Sequence, residues 1–96
     1  MEVFIFARLH ARPGQRGAVQ QAMFDVSRPT RAEPACLSYG AFQSLRDGDE
    51  FFIHSRWQDM AAFERHVLLP HTLRFVAAVE PLLDHPFAAT VAQQLW

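Results

Sequence analysis

FFIHSRWQDMAAFERHVLLPH, residues 51–71, contains the change of period that decides the fold. Phe51, Phe52 and Ile53 run into Trp57 as an extended segment rich in strand-forming side chains. Gln58-Asp59 breaks that run, and Asp59 stands where a helix N-cap belongs. From Met60 the spacing is helical, with Phe63 and Val67 at i and i+4 on one face beside Glu64 and Arg65. Pro70 ends this helix and suits the first turn of another, where its missing N–H would have no partner anyway. One strand-to-helix corner therefore carries an indole, Trp57, and two imidazoles, His66 and His71. Such corners are common places for a small-molecule pocket.

Upstream, Cys36 to Leu45 alternates as a strand, and the Asp47-Gly48 pair before Phe51 is a hairpin signal, so these two strands pair antiparallel. Val3 to Ala11 also alternates, with Val3, Ile5, Ala7, Leu9 and Ala11 on one face and Phe4, Phe6, Arg8 and His10 on the other. From Gln15 the period becomes helical, and Val19, Ala22, Met23, Val26 and Thr30 share one side. Pro29 predicts a kink or break near Arg28, and the helix has ended by Glu33-Pro34. Downstream, a helix over His71 to Leu83 would turn Leu73, Val76, Ala77, Val79 and Leu83 to the core, with Pro81 fraying its end. Phe87 to Trp96 reads as a last strand.

The order strand, helix, strand, strand, helix in two pieces, strand is the ferredoxin-like split arrangement of the α+β class, an antiparallel sheet with helices on one face. The strands nevertheless carry apolar residues on both faces. A second copy of the sheet is the simplest cover for the free one, giving a two-fold homodimer.

A chain of 96 residues reads as one domain, 1–96, and so short a chain gains from completing its core with a second copy. Net charge is −1, and the nine basic residues are all Arg, scattered rather than clustered, which argues against nucleic-acid binding. The longest apolar runs fall far short of the ~20 residues a membrane helix needs. No leader pattern opens the chain, and the single Cys36 cannot form an internal disulfide, so a cytoplasmic setting is expected.

Among the titratable residues, His66 and His71 are candidates for a general base, since imidazole titrates near neutrality; a hydrogen-bonded or surface role is the alternative. They are five apart, with no HExxH pattern and no Cys partner, so no metal site is expected. Trp57 is either core or a wall for a flat ligand with its N–H as donor. Arg74 could hold an anionic ligand oxygen, or be solvated. His54 and Arg56 fall on the strand face opposite Trp57, where a sheet or dimer contact is expected. His10 and His85 read as solvated, and Arg8 as a structural pair. No GxSxG elbow, Gly-rich phosphate loop or CxxC is present.

Taken together, Ala7-Arg8, Arg12-Pro13-Gly14, the stretch Arg31 to Tyr39 (RAEPACLSY), Arg56-Trp57-Gln58-Asp59 with Ala62-Phe63, His66 and Pro70-His71 resemble the antibiotic biosynthesis monooxygenase (ABM) family. The resemblance runs from about Val3 to Val91. It implies a dimeric α+β barrel with a pocket between sheet and helices in each subunit. The family includes cofactor-free oxygenases of quinols and polyketide anthrones, haem-degrading enzymes, and an isomerase of a phosphorylated signalling sugar. The anthrone oxygenases and haem degraders use an asparagine, and this chain has none: Ile53 and Ala7 stand at the corresponding positions. The haem degraders' iron-binding His maps near Val76. The quinol monooxygenases are most similar, sharing Trp57, His66, Pro70-His71 and a Pro near Pro29.

The resemblance thus implies a cofactor-independent monooxygenase of a small electron-rich aromatic of the quinol or phenol type, with molecular oxygen as co-substrate and no cofactor. His66 or His71 would remove a proton, Trp57 would bound the ring, and Phe63 and Phe75 would line the cavity. Two other readings stay open: an isomerase or detoxifying enzyme using the same pocket, and a non-catalytic ligand-binding dimer.

Overall fold

β1 (Val3–His10) runs through the interior of the sheet. It pairs antiparallel with β3 (Glu50–Trp57) on one side and β4 (Ala88–Ala92) on the other, and β2 (Cys36–Gln43) pairs with β3 at the far edge. The strand order is β2-β3-β1-β4. α1 (Arg16–Arg31), α2 (Met60–His66) and α3 (Pro70–Val79) cover one face, and a 3₁₀ turn, Glu80–Leu82, leads toward β4. This is the α+β, ferredoxin-like arrangement expected from the order of periods. The computed structural model describes all residues, Met1–Trp96.

Alternation decides which side chains meet the helices. Val3, Ile5, Ala7, Leu9 and Ala11 are all buried, as are Phe51, Ile53, Ser55 and Trp57 of β3. The core splits along this surface. Ala7, Leu9 and Ala11 pack with Val19, Met23 and Val26 of α1 and Phe75 and Val79 of α3. Val3, Ile5 and Trp57 pack under Ala62 of α2. Each fully buried Leu or Val contributes about 1.5–3 kcal/mol by leaving water.

The other face carries Phe4, Phe6, Phe42, Phe52 and His54 in neighbouring registers, and Phe6 stacks on His54 at 4.8 Å. Phe6 and Phe42 are each about half exposed (51% and 54%) with no helix over them. Arg8 and Glu50 pair across β1 and β3 at 2.6 Å, the structural role expected of that Arg. Gly14 closes the turn after β1 with φ 81°, where a side chain would be strained.

Four local expectations are corrected. α1 continues without a break through Pro29 to Arg31. A proline so near the C-terminus removes one hydrogen bond and leaves the earlier turns intact. α2 ends at His66, so its buried pair is Ala62 and His66 rather than Phe63 and Val67, and Val67 is the exposed C-cap. α3 turns Thr72, Phe75 and Val79 inward, while Leu73 is 53% exposed and Ala77 is exposed. The last strand stops at Ala92, leaving Leu95 and Trp96 in solvent.

Candidate functional site

Three chain segments meet above the smaller core cluster: the turn after α1, the C-terminus of α2 and the first turn of α3. Asp59 starts α2 as its N-cap, accepting the Ala62 N–H at 2.8 Å. Seven residues later the helix ends with His66 facing inward. Pro70 at the first position of α3 then sets His71 beside it. The two rings lie 5.9 Å apart, centre to centre.

Glu33 joins them. Its Oε2 lies 2.7 Å from His66 Nδ1 and 2.7 Å from His71 Nε2, so a single carboxylate oxygen accepts from both imidazoles. All three side chains are largely covered, with 14%, 10% and 16% of Glu33, His66 and His71 exposed. Thr72 Oγ1 approaches His66 Nδ1 at 3.3 Å. His66 also lies against the Trp57 indole, 4.4 Å between centroids, with Phe63 6.1 Å away. Burial holds the His66 imidazolium pKa below its ordinary value; the Glu33 hydrogen bond opposes this but does not overcome it. Burial, aided by Glu33, pushes the nearby Cys36 thiol pKa up and keeps it protonated.

Trp57 is 1% exposed and donates its N–H to Ser55 Oγ at 3.0 Å. That donor is therefore taken, contrary to the expectation that it would be free for a ligand. The same bond explains a serine in the inward row of β3. Trp57 and Phe63 pack around His66. His71, Arg74 and Phe75 open instead onto a groove of about 430 Å³ between α1 and α3, whose other wall includes Ala22, Asp25 and Pro29. Phe75 is also core, meeting Phe87 edge to face at 5.9 Å. The six sequence-derived residues thus separate into an inner set (Trp57 and His66 buried, Phe63 partly buried) and a groove set (His71, Arg74, Phe75), bridged by Glu33. A larger hollow of about 720 Å³ lies between α1 and β2, beside Phe24, Arg28 and Phe42. No histidine lines it, so size alone does not mark the chemistry.

Sequence reasoning missed Glu33. Its place in the EPACLSY stretch was the available signal, but a carboxylate beside a proline reads as a solvated turn residue. His10 and His85 are not simply solvated either. Asp84 Oδ2 and Asp47 Oδ2 hold His10 at 2.6 and 2.8 Å, and His85 lies 2.8 Å from Asp84 Oδ1. His10 thus ties the β2–β3 loop to the segment before β4.

The family model for antibiotic biosynthesis monooxygenase matches residues 2–78. The chain belongs to this family. Rv0793 of Mycobacterium tuberculosis, provisionally named a monooxygenase, is 37% identical over 93 residues, covering 97% of this chain and 91% of that protein. The solved structure of Rv0793 superposes with a TM-score of 0.93 at 35% identity, over 99% of this chain and 96% of that one. PA3566 of Pseudomonas aeruginosa gives 0.91 at 32% identity, over 99% and 95%. A monooxygenase-like activity follows from the family. No helix is long and apolar enough to cross a membrane.

Proposed function

We propose that this ABM protein is a cofactor-independent monooxygenase of a small electron-rich aromatic, a quinol or phenol, bound in the α1–α3 groove. The observation that carries the reading is His71, which borders the groove while its Nε2 is held 2.7 Å from Glu33. A carboxylate on one ring nitrogen fixes the tautomer and leaves the lone pair of the other free to take a proton. His71 Nδ1, which has no protein partner, is the basic atom. His66, kept neutral by burial, shares Glu33 and steadies it.

Deprotonation makes a quinol a stronger reductant toward oxygen. The substrate supplies all the electrons: one oxygen atom joins a ring carbon, the other leaves as water, and the ring becomes a hydroxyquinone. The protein's tasks are binding, proton removal and stabilisation of the anion, for which Arg74 on the groove wall supplies positive charge. Phe75 provides an apolar wall. The active unit is a homodimer whose apposed sheets cover Phe6, Phe42 and Phe52.

The test is oxygen consumption by protein freed of metal and flavin, over a panel of quinols. Uptake is expected, with His71→Ala lowering it about 10²–10⁴-fold. No uptake with any quinol, or an undiminished His71→Ala rate, overturns the proposal.

A further inference from the structure

We propose that Glu33, His66 and His71 form a binding site for a divalent transition-metal ion of the zinc or cobalt class. Glu33 Oε2, His66 Nδ1 and His71 Nε2 all lie within 4.8 Å of one another. They come from three separate segments, so the fold and not a local motif gathers them. Two imidazoles and a carboxylate suit zinc, cobalt or iron(II), whereas calcium and magnesium favour oxygen donors throughout. Three protein ligands with an open position is also the pattern of reactive zinc sites.

Bonds of ~2.0–2.1 Å in a tetrahedron put ligand atoms about 3.3 Å apart. The two N···O separations, now 2.7 Å, need to open slightly, and the two nitrogens need to close from at most 4.8 Å. Rotation about the side-chain bonds of three residues on separate segments achieves this without moving the sheet. Each neutral imidazole shifts its proton to the other ring nitrogen and turns a lone pair to the ion. Two hydrogen bonds are exchanged for three coordination bonds. Because His71 borders the groove, the open position is within reach of a groove occupant.

The proposal rests on the ligand geometry, independently of the quinol reading, although the two share His71. A ligated Nε2 leaves the ring proton on Nδ1, the atom proposed as the base, so an occupied site has no lone pair to offer the substrate. Zinc should therefore slow the oxygen uptake of the metal-free protein.

The experiment is titration of chelator-treated full-length protein with Co²⁺, read by visible ligand-field absorption, and with Zn²⁺, read by calorimetry. One equivalent per chain, reversed by chelator, is expected. Changing an outer-sphere partner typically weakens metal binding 10–100-fold, so loss of a ligand in Glu33→Gln or His71→Ala should weaken it at least about 100-fold. His10→Ala, which dismantles the other histidine–carboxylate cluster, should bind as the parent does. Circular dichroism checks that each variant is folded, and His71→Gln serves if His71→Ala is not. Absence of saturable binding by the parent, or unchanged binding in both ligand variants, overturns the site. Cobalt binding without oxygen uptake keeps the site and removes the quinol reading; uptake without cobalt binding does the reverse.

Discussion

Replacing Glu33 by Ala should destabilise the protein far more than its position in a turn implies. The carboxylate accepts two hydrogen bonds of 2.7 Å, from rings only 10% and 16% exposed. Its removal leaves the nearly buried His71 N–H without a partner and the His66 N–H with only the longer 3.3 Å contact to Thr72 Oγ1, at up to about 1–3 kcal/mol each. Releasing a buried carboxylate from its desolvation cost offsets part of this. The net expectation is about 2–3 kcal/mol for Glu33→Ala and about 1 kcal/mol for Glu33→Gln, whose amide oxygen still accepts. In a chain of this size that is a fall in Tm of roughly 10–20 °C for the Ala variant. Urea unfolding at one fixed protein concentration, followed by circular dichroism, measures it. A double-mutant cycle with His71→Ala should give a coupling of at least about 1 kcal/mol. A Glu33→Ala protein within about 0.5 kcal/mol of the parent, or strict additivity in the cycle, would refute the claim that Glu33 holds the two rings.

Three other outcomes are expected. Phe6→Arg on the uncovered sheet face should turn a dimer into a monomer in sedimentation velocity; a monomeric parent sinks the dimer itself. Because burial lowers the folded-state His66 pKa, the unfolded state takes up that proton first, so stability should fall as pH drops below about 6.5. His66→Gln should flatten this loss, and an unchanged pH slope contradicts it. The hydrogen bonds His10 donates to Asp47 and Asp84 raise its folded-state pKa, so its contribution is present below about 6.5 and lost as pH rises through the folded value. Both carboxyls are held below their ordinary pKa, each chiefly by a histidine (His10 for Asp47, His85 for Asp84), so theirs is lost in acid. His10→Ala should remove the decline in Tm between neutral and mildly alkaline pH, and a parent with no such decline refutes the latch.

The sheet was legible because period-two alternation survives any tertiary context: a strand whose inward row is Val3, Ile5, Ala7, Leu9 can face its core in only one way. The helices were less so. α3 carries two competing stripes, and hydropathy favours Leu73 and Ala77 over Thr72. The observed face wins because Phe75 packs on Phe87 and Thr72 reaches His66, contacts with no local signature. The α2 misreading has a similar source, since Val67 fits the helical spacing but lies just past the point where the helix stops. Trp57, His66 and His71 stood out by residue type and spacing. Their division between a packed interior and a groove did not, because it depends on how α1 lies across α3. Glu33 lies more than thirty residues before either histidine, and only folding brings it to them.

The position of β1 also governs when this protein can form during synthesis. Phe4 must find both Arg56 and Ala92. β1 therefore waits, apolar on both sides, until residues 88–92 have left the ribosome. Contacts so distant along the chain fold slowly. Nascent β1 is thus the segment with most to gain from a chaperone, and truncation before residue 88 should yield insoluble product rather than a smaller working protein.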